Sequence, residues 1–93
     1  MNSIVIKIYP PFSDAAGSKE IEINFMEDQI NFKDLIYKMI EMHPEMNVIF
    51  PDSLNENNIY GSCFPVRGGK LLSLGDDLKP FDIIDLYGSL NGG

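Results

Sequence analysis

Apolar side chains recur at every second position near the start of this chain. Ile4, Ile6 and Ile8 alternate with Val5, Lys7 and Tyr9, the period-two pattern of a strand with one face turned to a core. Pro10-Pro11 ends that strand, and Asp14 to Ser18 (Asp-Ala-Ala-Gly-Ser) has the composition of a turn. Alternation resumes over Lys19 to Phe25, where Ile21, Ile23 and Phe25 point one way and Glu20, Glu22 and Asn24 the other. The two runs predict a hairpin with one wet face.

The period changes at residue 30. Phe32, Leu35, Ile36, Met39 and Ile40 follow the i, i+3, i+4, i+7, i+8 spacing of one helix face. Asn31 is placed as the N-cap, with Asp34 near the positive end of the helix dipole. Ile30 and Leu35 stand at the positions of a hydrophobic staple. Pro44 makes His43 the expected last helical residue. Met46 to Tyr60 reads as loop, with a short helical turn over Val48 to Phe50. A third strand is expected within Tyr60 to Val66, where Pro65 suits an edge or a bulge. Arg67-Gly68-Gly69 supplies the glycines of a hairpin into Lys70-Leu71-Leu72. Asp76 to Phe81 reads as a turn or short 3₁₀ segment. Ile83 to Tyr87 is the last strand, with Ile84 and Leu86 on one face and Ile83, Asp85 and Tyr87 on the other. Segregated strands around one helix predict an α+β domain, the helix laid across one face of the sheet.

The chain has 93 residues, of which 44% are hydrophobic. That suffices for one core but leaves little room for a deep catalytic cavity, so an enzyme acting alone is not expected. A net charge of -7, from 14 acidic and 7 basic residues, argues against nucleic acid or an anionic membrane as partner. It fits either simple solubility or a protein partner with a basic docking face. Near the terminus Asp82 and Asp85 stand as acidic groups facing water or such a partner. No basic leader and no bilayer-length apolar segment is present, so a cytoplasmic location is expected.

Side-chain chemistry is sparse. Cys63 and His43 are the single cysteine and histidine, too few for a disulfide or a metal site of their own. Cys63 reads as a small core residue, His43 as a surface group at a helix C-terminus. Arg67-Gly68-Gly69-Lys70 lacks the spacing of a phosphate loop, and Asp76-Asp77 lacks the ligands of a calcium loop. What stands out is the end of the sequence, Gly88-Ser89-Leu90-Asn91-Gly92-Gly93. A terminal glycine pair forms a thin thread with a carboxylate at its tip, able to enter a channel that excludes side chains. Chance, or a cut after an internal Gly-Gly, would produce the same pair.

Several stretches together resemble one family. They are Tyr9-Pro10-Pro11-Phe12-Ser13-Asp14-Ala15-Ala16-Gly17, Lys19-Glu20-Ile21-Glu22-Ile23, Asn31-Phe32-Lys33-Asp34-Leu35-Ile36 and Leu78-Lys79-Pro80-Phe81-Asp82-Ile83-Ile84, followed by the diglycine. In this order they resemble the ubiquitin-like β-grasp sulfur carriers, typified by the small subunit of molybdopterin synthase and the thiamine-pathway carrier. Phe81 stands where that family has glycine before the aspartate. Ser89-Leu90 is closer to the ubiquitin-related modifier that carries sulfur to transfer RNA.

The resemblance implies a β-grasp domain over residues 1–87, with a mixed sheet of four to five strands packed on one long helix. A flexible diglycine tail over residues 88–93 would project from it. It implies a carrier, not an enzyme, whose Gly93 carboxylate is adenylated and converted to a thiocarboxylate that donates sulfur in molybdopterin-type cofactor synthesis. A thiamine-pathway or tRNA-thiolation carrier, or a modifier conjugated through Gly93, are the alternatives. Gly92 would be required for channel entry, with Leu90, Tyr87 and Phe64 as partner-binding residues; ordinary sheet packing also accounts for Phe64 and Tyr87. The implied partners are a ubiquitin-activating-like adenylating enzyme, a sulfur donor such as a cysteine desulfurase or rhodanese, and a sulfur-accepting synthase large subunit. ATP and Mg²⁺ would come with the adenylating enzyme, and the chain would bind no cofactor or metal itself.

Overall fold

The computed structural model describes residues 2–10, 12–17, 19–50, 60 and 63–88. Its main sheet holds five strands: β1 (Asn2–Ile8), β2 (Glu20–Phe25), β4 (Cys63–Arg67), β5 (Lys70–Leu71) and β7 (Ile83–Gly88). Their order is β2-β1-β7-β4-β5. β1 and β7 are parallel, whereas β1 with β2, β4 with β7 and β4 with β5 are antiparallel. A parallel neighbour requires a crossover, and the connection from β2 carries the long helix α2 (Phe32–Met42).

Alternation decides which face is covered. Ile4, Ile6 and Ile8 of β1, Ile21, Ile23 and Phe25 of β2, and Ile84 and Leu86 of β7 form one core with Phe32, Leu35, Ile36 and Met39 of α2. Cys63 lies in that core with no exposed surface, and burial pushes its thiol up to about 12. Asn31 caps α2 as expected, its Oδ1 accepting from the Asp34 N–H at 2.8 Å. The helix ends at Met42, with His43 as its C-cap.

Four segments differ from the sequence expectation. The predicted turn after β1 is a short helix, α1 (Phe12–Ala16). The Tyr9 carbonyl accepts from both the Phe12 and Ser13 N–H groups, and Gly17 closes the helix with φ 74°, the left-handed cap that glycine adopts without a Cβ clash. After α2 a 3₁₀ helix covers Pro44–Val48 rather than residues 48–50. Pro44 stops one helix and starts the next, because its locked φ suits a first turn. That turn buries Met46.

The third difference is a second sheet of two strands, β3 (Ile30–Asn31) and β6 (Asp77–Leu78), where the sequence reads as a helix approach and a turn. Through it the Asp76 and Leu74 carbonyls accept from the Phe32 and Lys33 N–H groups at 2.9 and 3.0 Å, so the first three donors of α2 all find partners. The fourth is Pro65, which lies in an inner strand and not at an edge. Its carbonyl accepts from the Leu72 N–H, so its backbone faces the two-residue β5, and the N–H it lacks is not drawn from the β7 ladder. Gly68 and Gly69, at φ 60° and 82°, form the expected two-residue hairpin turn.

Candidate functional site

The last strand occupies the middle of the sheet, between β1 and β4. Gly88 is its final residue and pairs with Cys63. Gly92, Gly93 and Leu90, the residues expected to carry the chemistry and its anchor, lie outside the described residues. Phe64 and Tyr87 are described and brought together: they are direct partners across β4 and β7. Both sit on the face opposite the core, Phe64 half-buried and Tyr87 41% exposed.

A third aromatic joins them. Tyr9, just past β1, stacks on Tyr87 with ring centroids 4.5 Å apart and 15° between planes. Its hydroxyl donates to the Asp85 carboxylate at 2.9 Å. That hydrogen bond, then desolvation and the neighbouring negative charge, pushes the Tyr9 phenol up to about 12. The Tyr9 N–H also donates to the Leu86 carbonyl at 3.1 Å, so backbone and side chain both tie the β1 end to the tail-proximal end of β7. Residue parity puts Tyr9 with Val5 and Lys7 on the outer face, but its meeting with Tyr87 depends on the β1–β7 pairing, which no local pattern reveals.

The two acidic residues near the terminus are engaged within the fold. Asp85 accepts from Tyr9. Asp82 accepts from the Lys79 N–H at 2.8 Å and pairs with Arg67 at 3.2 Å. Beside Tyr9 opens a cleft of about 460 Å³ lined by Lys7, Ser13, Lys19 and Glu20 among others. Among the described residues no cluster of three or more His, Cys, Asp or Glu side chains is arranged to hold a metal, and no helix is long and apolar enough to cross a membrane.

The outer face therefore reads in rows set by strand register. Glu22, Val5 and Ile83 form one row; Glu20, Lys7, Asp85, Val66 and Leu71 form the next. Tyr9, Tyr87 and Phe64 close the face where the chain leaves for its terminus. Apolar and aromatic positions thus flank a charged Lys7–Asp85 pair of positions at the middle of the face, with an acidic margin on β2. The aromatic end lies at the C-terminal end of β7, and among the described residues the face holds no nucleophile–base pair.

No protein-family model matches the sequence, and no curated protein matches it significantly. Solved structures do. Small archaeal modifier protein 1 (SAMP1) from Haloferax volcanii superposes with a TM-score of 0.77 at 20% identity, over 98% of this chain and 99% of that one. A second structure of that protein gives 0.76 at 17% identity, covering 97% and 100%. A putative molybdopterin converting factor, subunit 1, from Pyrococcus furiosus gives 0.73 at 21% identity, covering 97% and 100%. Likeness over the whole length with so few shared residues rests on the order and packing of elements, and on that ground this chain has the ubiquitin-like β-grasp fold.

Proposed function

We propose that this chain is a sulfur carrier of the molybdopterin-type cofactor pathway, acting through the carboxylate of Gly93. The observation that carries the reading is the central placement of β7. Its C-terminal end lies against the Tyr9–Tyr87–Phe64 cluster, and the sequence reaches Gly92-Gly93 within five residues of Gly88. The P. furiosus neighbour, a putative molybdopterin converting factor, subunit 1, supports the same reading and a large-subunit partner.

The chemistry follows from the weakness of a carboxylate as an acyl donor. A Gly93 carboxylate oxygen attacks the α-phosphorus of ATP, pyrophosphate leaves, and an acyl-adenylate forms. The outer sulfur of a persulfide on the donor protein then attacks the acyl carbon and AMP leaves, giving an acyl disulfide. A second thiol cleaves its S–S bond, forming a disulfide with the donor cysteine and releasing the thiocarboxylate. One carboxylate oxygen thus departs with AMP and sulfur takes its place. ATP, Mg²⁺ and the catalytic side chains reside in the adenylating partner, whose channel admits Gly92-Gly93 because neither carries a Cβ. The carrier contributes the acyl end, Leu90 at the channel mouth, and the aromatic cluster as docking surface. This assigns the chain a carrier role and no catalysis of its own.

The reading requires a mature chain ending at Gly93, which intact mass of protein purified from its source establishes. Incubation with ATP, the adenylating enzyme and a sulfur donor should then replace one C-terminal oxygen by sulfur. A partner that adenylates another carrier but leaves this chain's mass unchanged refutes it. The modifier reading is favoured by the likeness to small archaeal modifier protein 1. It predicts diglycine-bearing branched lysine peptides in digests of source cells, and both roles fall if deleting Gly92 and Gly93 leaves function unchanged.

A further inference from the structure

Phe81 holds a backbone conformation that its side chain disfavours. Its φ is 70°, in the left-handed region where a Cβ crowds the following carbonyl and where glycine is at ease. The other left-handed positions among the described residues, Gly17, Gly68 and Gly69, are all glycine. The hydrogen bonds of the turn hold this geometry. The Phe81 N–H donates to the Ser3 carbonyl at 2.7 Å and the Asp82 N–H to the Lys79 carbonyl at 3.1 Å. The Asp82 Oδ2 accepts from the Lys79 N–H at 2.8 Å, and the Arg67 guanidinium donates to the same oxygen at 3.2 Å.

Burial does not compensate for the strain, since the Phe81 side chain is 75% exposed. A strained residue whose bulk does nothing for the fold points to a role outside it. Its surroundings indicate which. Ile83, two residues on, is 48% exposed on the outer face beside Val5, and Leu71 is 53% exposed on the same face. This apolar end continues through Val66 to the Phe64–Tyr87 pair. Along its β2 flank stand the outward carboxylates Glu20, with Lys7 beside it in register, and Glu22, which faces the apolar Val5, on a chain of net charge -7.

We propose that Phe81 is a specificity anchor for the adenylating enzyme, its ring entering an apolar socket with Ile83 packed beside it, and that basic side chains at the socket's margin face Glu20 and Glu22. The assignment rests on the carrier reading above and adds to it the contact by which the enzyme selects this chain. The anchor is remote from the reacting atom: Ile83 to Gly88 alone spans roughly 17 Å of extended strand. A docking contact made equally in the bound carrier and in the adenylation transition state is uniform binding, and its loss appears in KM with kcat preserved.

Carrier-dependent ATP–pyrophosphate exchange by the cognate adenylating enzyme tests this, with Phe81→Gly, Phe81→Ala and Phe81→Leu beside the unaltered chain. Phe81→Gly relieves the strain and should raise the melting temperature while raising KM for the carrier about tenfold or more, the loss expected on truncating a buried aromatic anchor. Phe81→Ala keeps the Cβ, gains no stability and should raise KM as much, whereas Phe81→Leu should stay within about threefold because most of the apolar volume remains. Docking lost while stability rises cannot come from misfolding. A Phe81→Gly chain with unchanged KM, or with a lowered melting temperature, overturns the anchor. No exchange with the unaltered chain would instead refute the carrier reading itself, so the two failures are told apart.

Discussion

Replacing Leu78 by alanine tests the small β3–β6 sheet, which positions the start of the long helix. Leu78 has no exposed surface and faces Ile30 in register. The carbonyls of Leu74 and Asp76, just upstream, accept from the first N–H groups of α2. Removing three carbons at about 0.8 kcal/mol each forfeits about 2 kcal/mol of transfer free energy. A residual cavity adds a further term, bringing buried Leu→Ala changes to about 3–5 kcal/mol. The lower end applies here, since a two-residue strand at the rim of the core can relax inward. Urea unfolding followed by far-ultraviolet circular dichroism should therefore show about 3 kcal/mol lost with the slope unchanged. A domain of this size holds roughly 5–14 kcal/mol in total, so the variant remains folded. Ile83→Ala, at a half-exposed outer-face position, is the control and should cost under about 1 kcal/mol. A Leu78→Ala loss below that of the control would refute the claim that β6 closes the core over the helix start.

Asn31→Ala should cost about 1 kcal/mol by leaving the Asp34 N–H uncapped, while Asn31→Asp should retain most of it, both read by urea midpoint. Tyr9 has its phenol raised to about 12 against 10 when unfolded, so its contribution is whole below pH 10 and is lost as pH climbs from about 10 to 12. Ultraviolet titration of Tyr9→Phe should lack the phenol that ionises near pH 12, and if that phase persists the Tyr9–Asp85 hydrogen bond is not its source. Cys63, buried and raised to about 12, should react with a thiol reagent at neutral pH at the rate of global opening, and denaturant should abolish the protection. Rapid labelling of the native protein would contradict its placement in the core.

Much of the architecture is legible residue by residue. The inward faces of β1, β2 and β7, the stripe and Asn31 cap of α2, and the Gly68-Gly69 hairpin all follow from signals that act over a few residues. Periodicity states which side of a strand is apolar, a cap needs a carbonyl-like oxygen three residues before its donor, and paired left-handed positions demand glycine. Short elements were harder to read for the same reason. α1 and the Pro44 3₁₀ helix are single turns whose local composition suits a turn equally well, and two-residue strands have no period to display.

The candidate site divides along the same line. Gly92-Gly93 and the parity of Phe64 and Tyr87 are visible in the sequence, and so is the acidic margin of β2. Tyr9 meets Asp85 across 76 residues only because β1 and β7 pair in parallel, a contact chosen by burying both strands' isoleucines and leucines under one helix. The left-handed turn at Phe81 is likewise set by bonds to Ser3, Lys79 and Arg67, two of them distant in the chain. Sequence alone thus determined the longer elements, their buried faces and the diglycine end. Tertiary structure decided which outward side chains share a surface, because strand pairing is a competition among whole-chain arrangements that only core packing resolves.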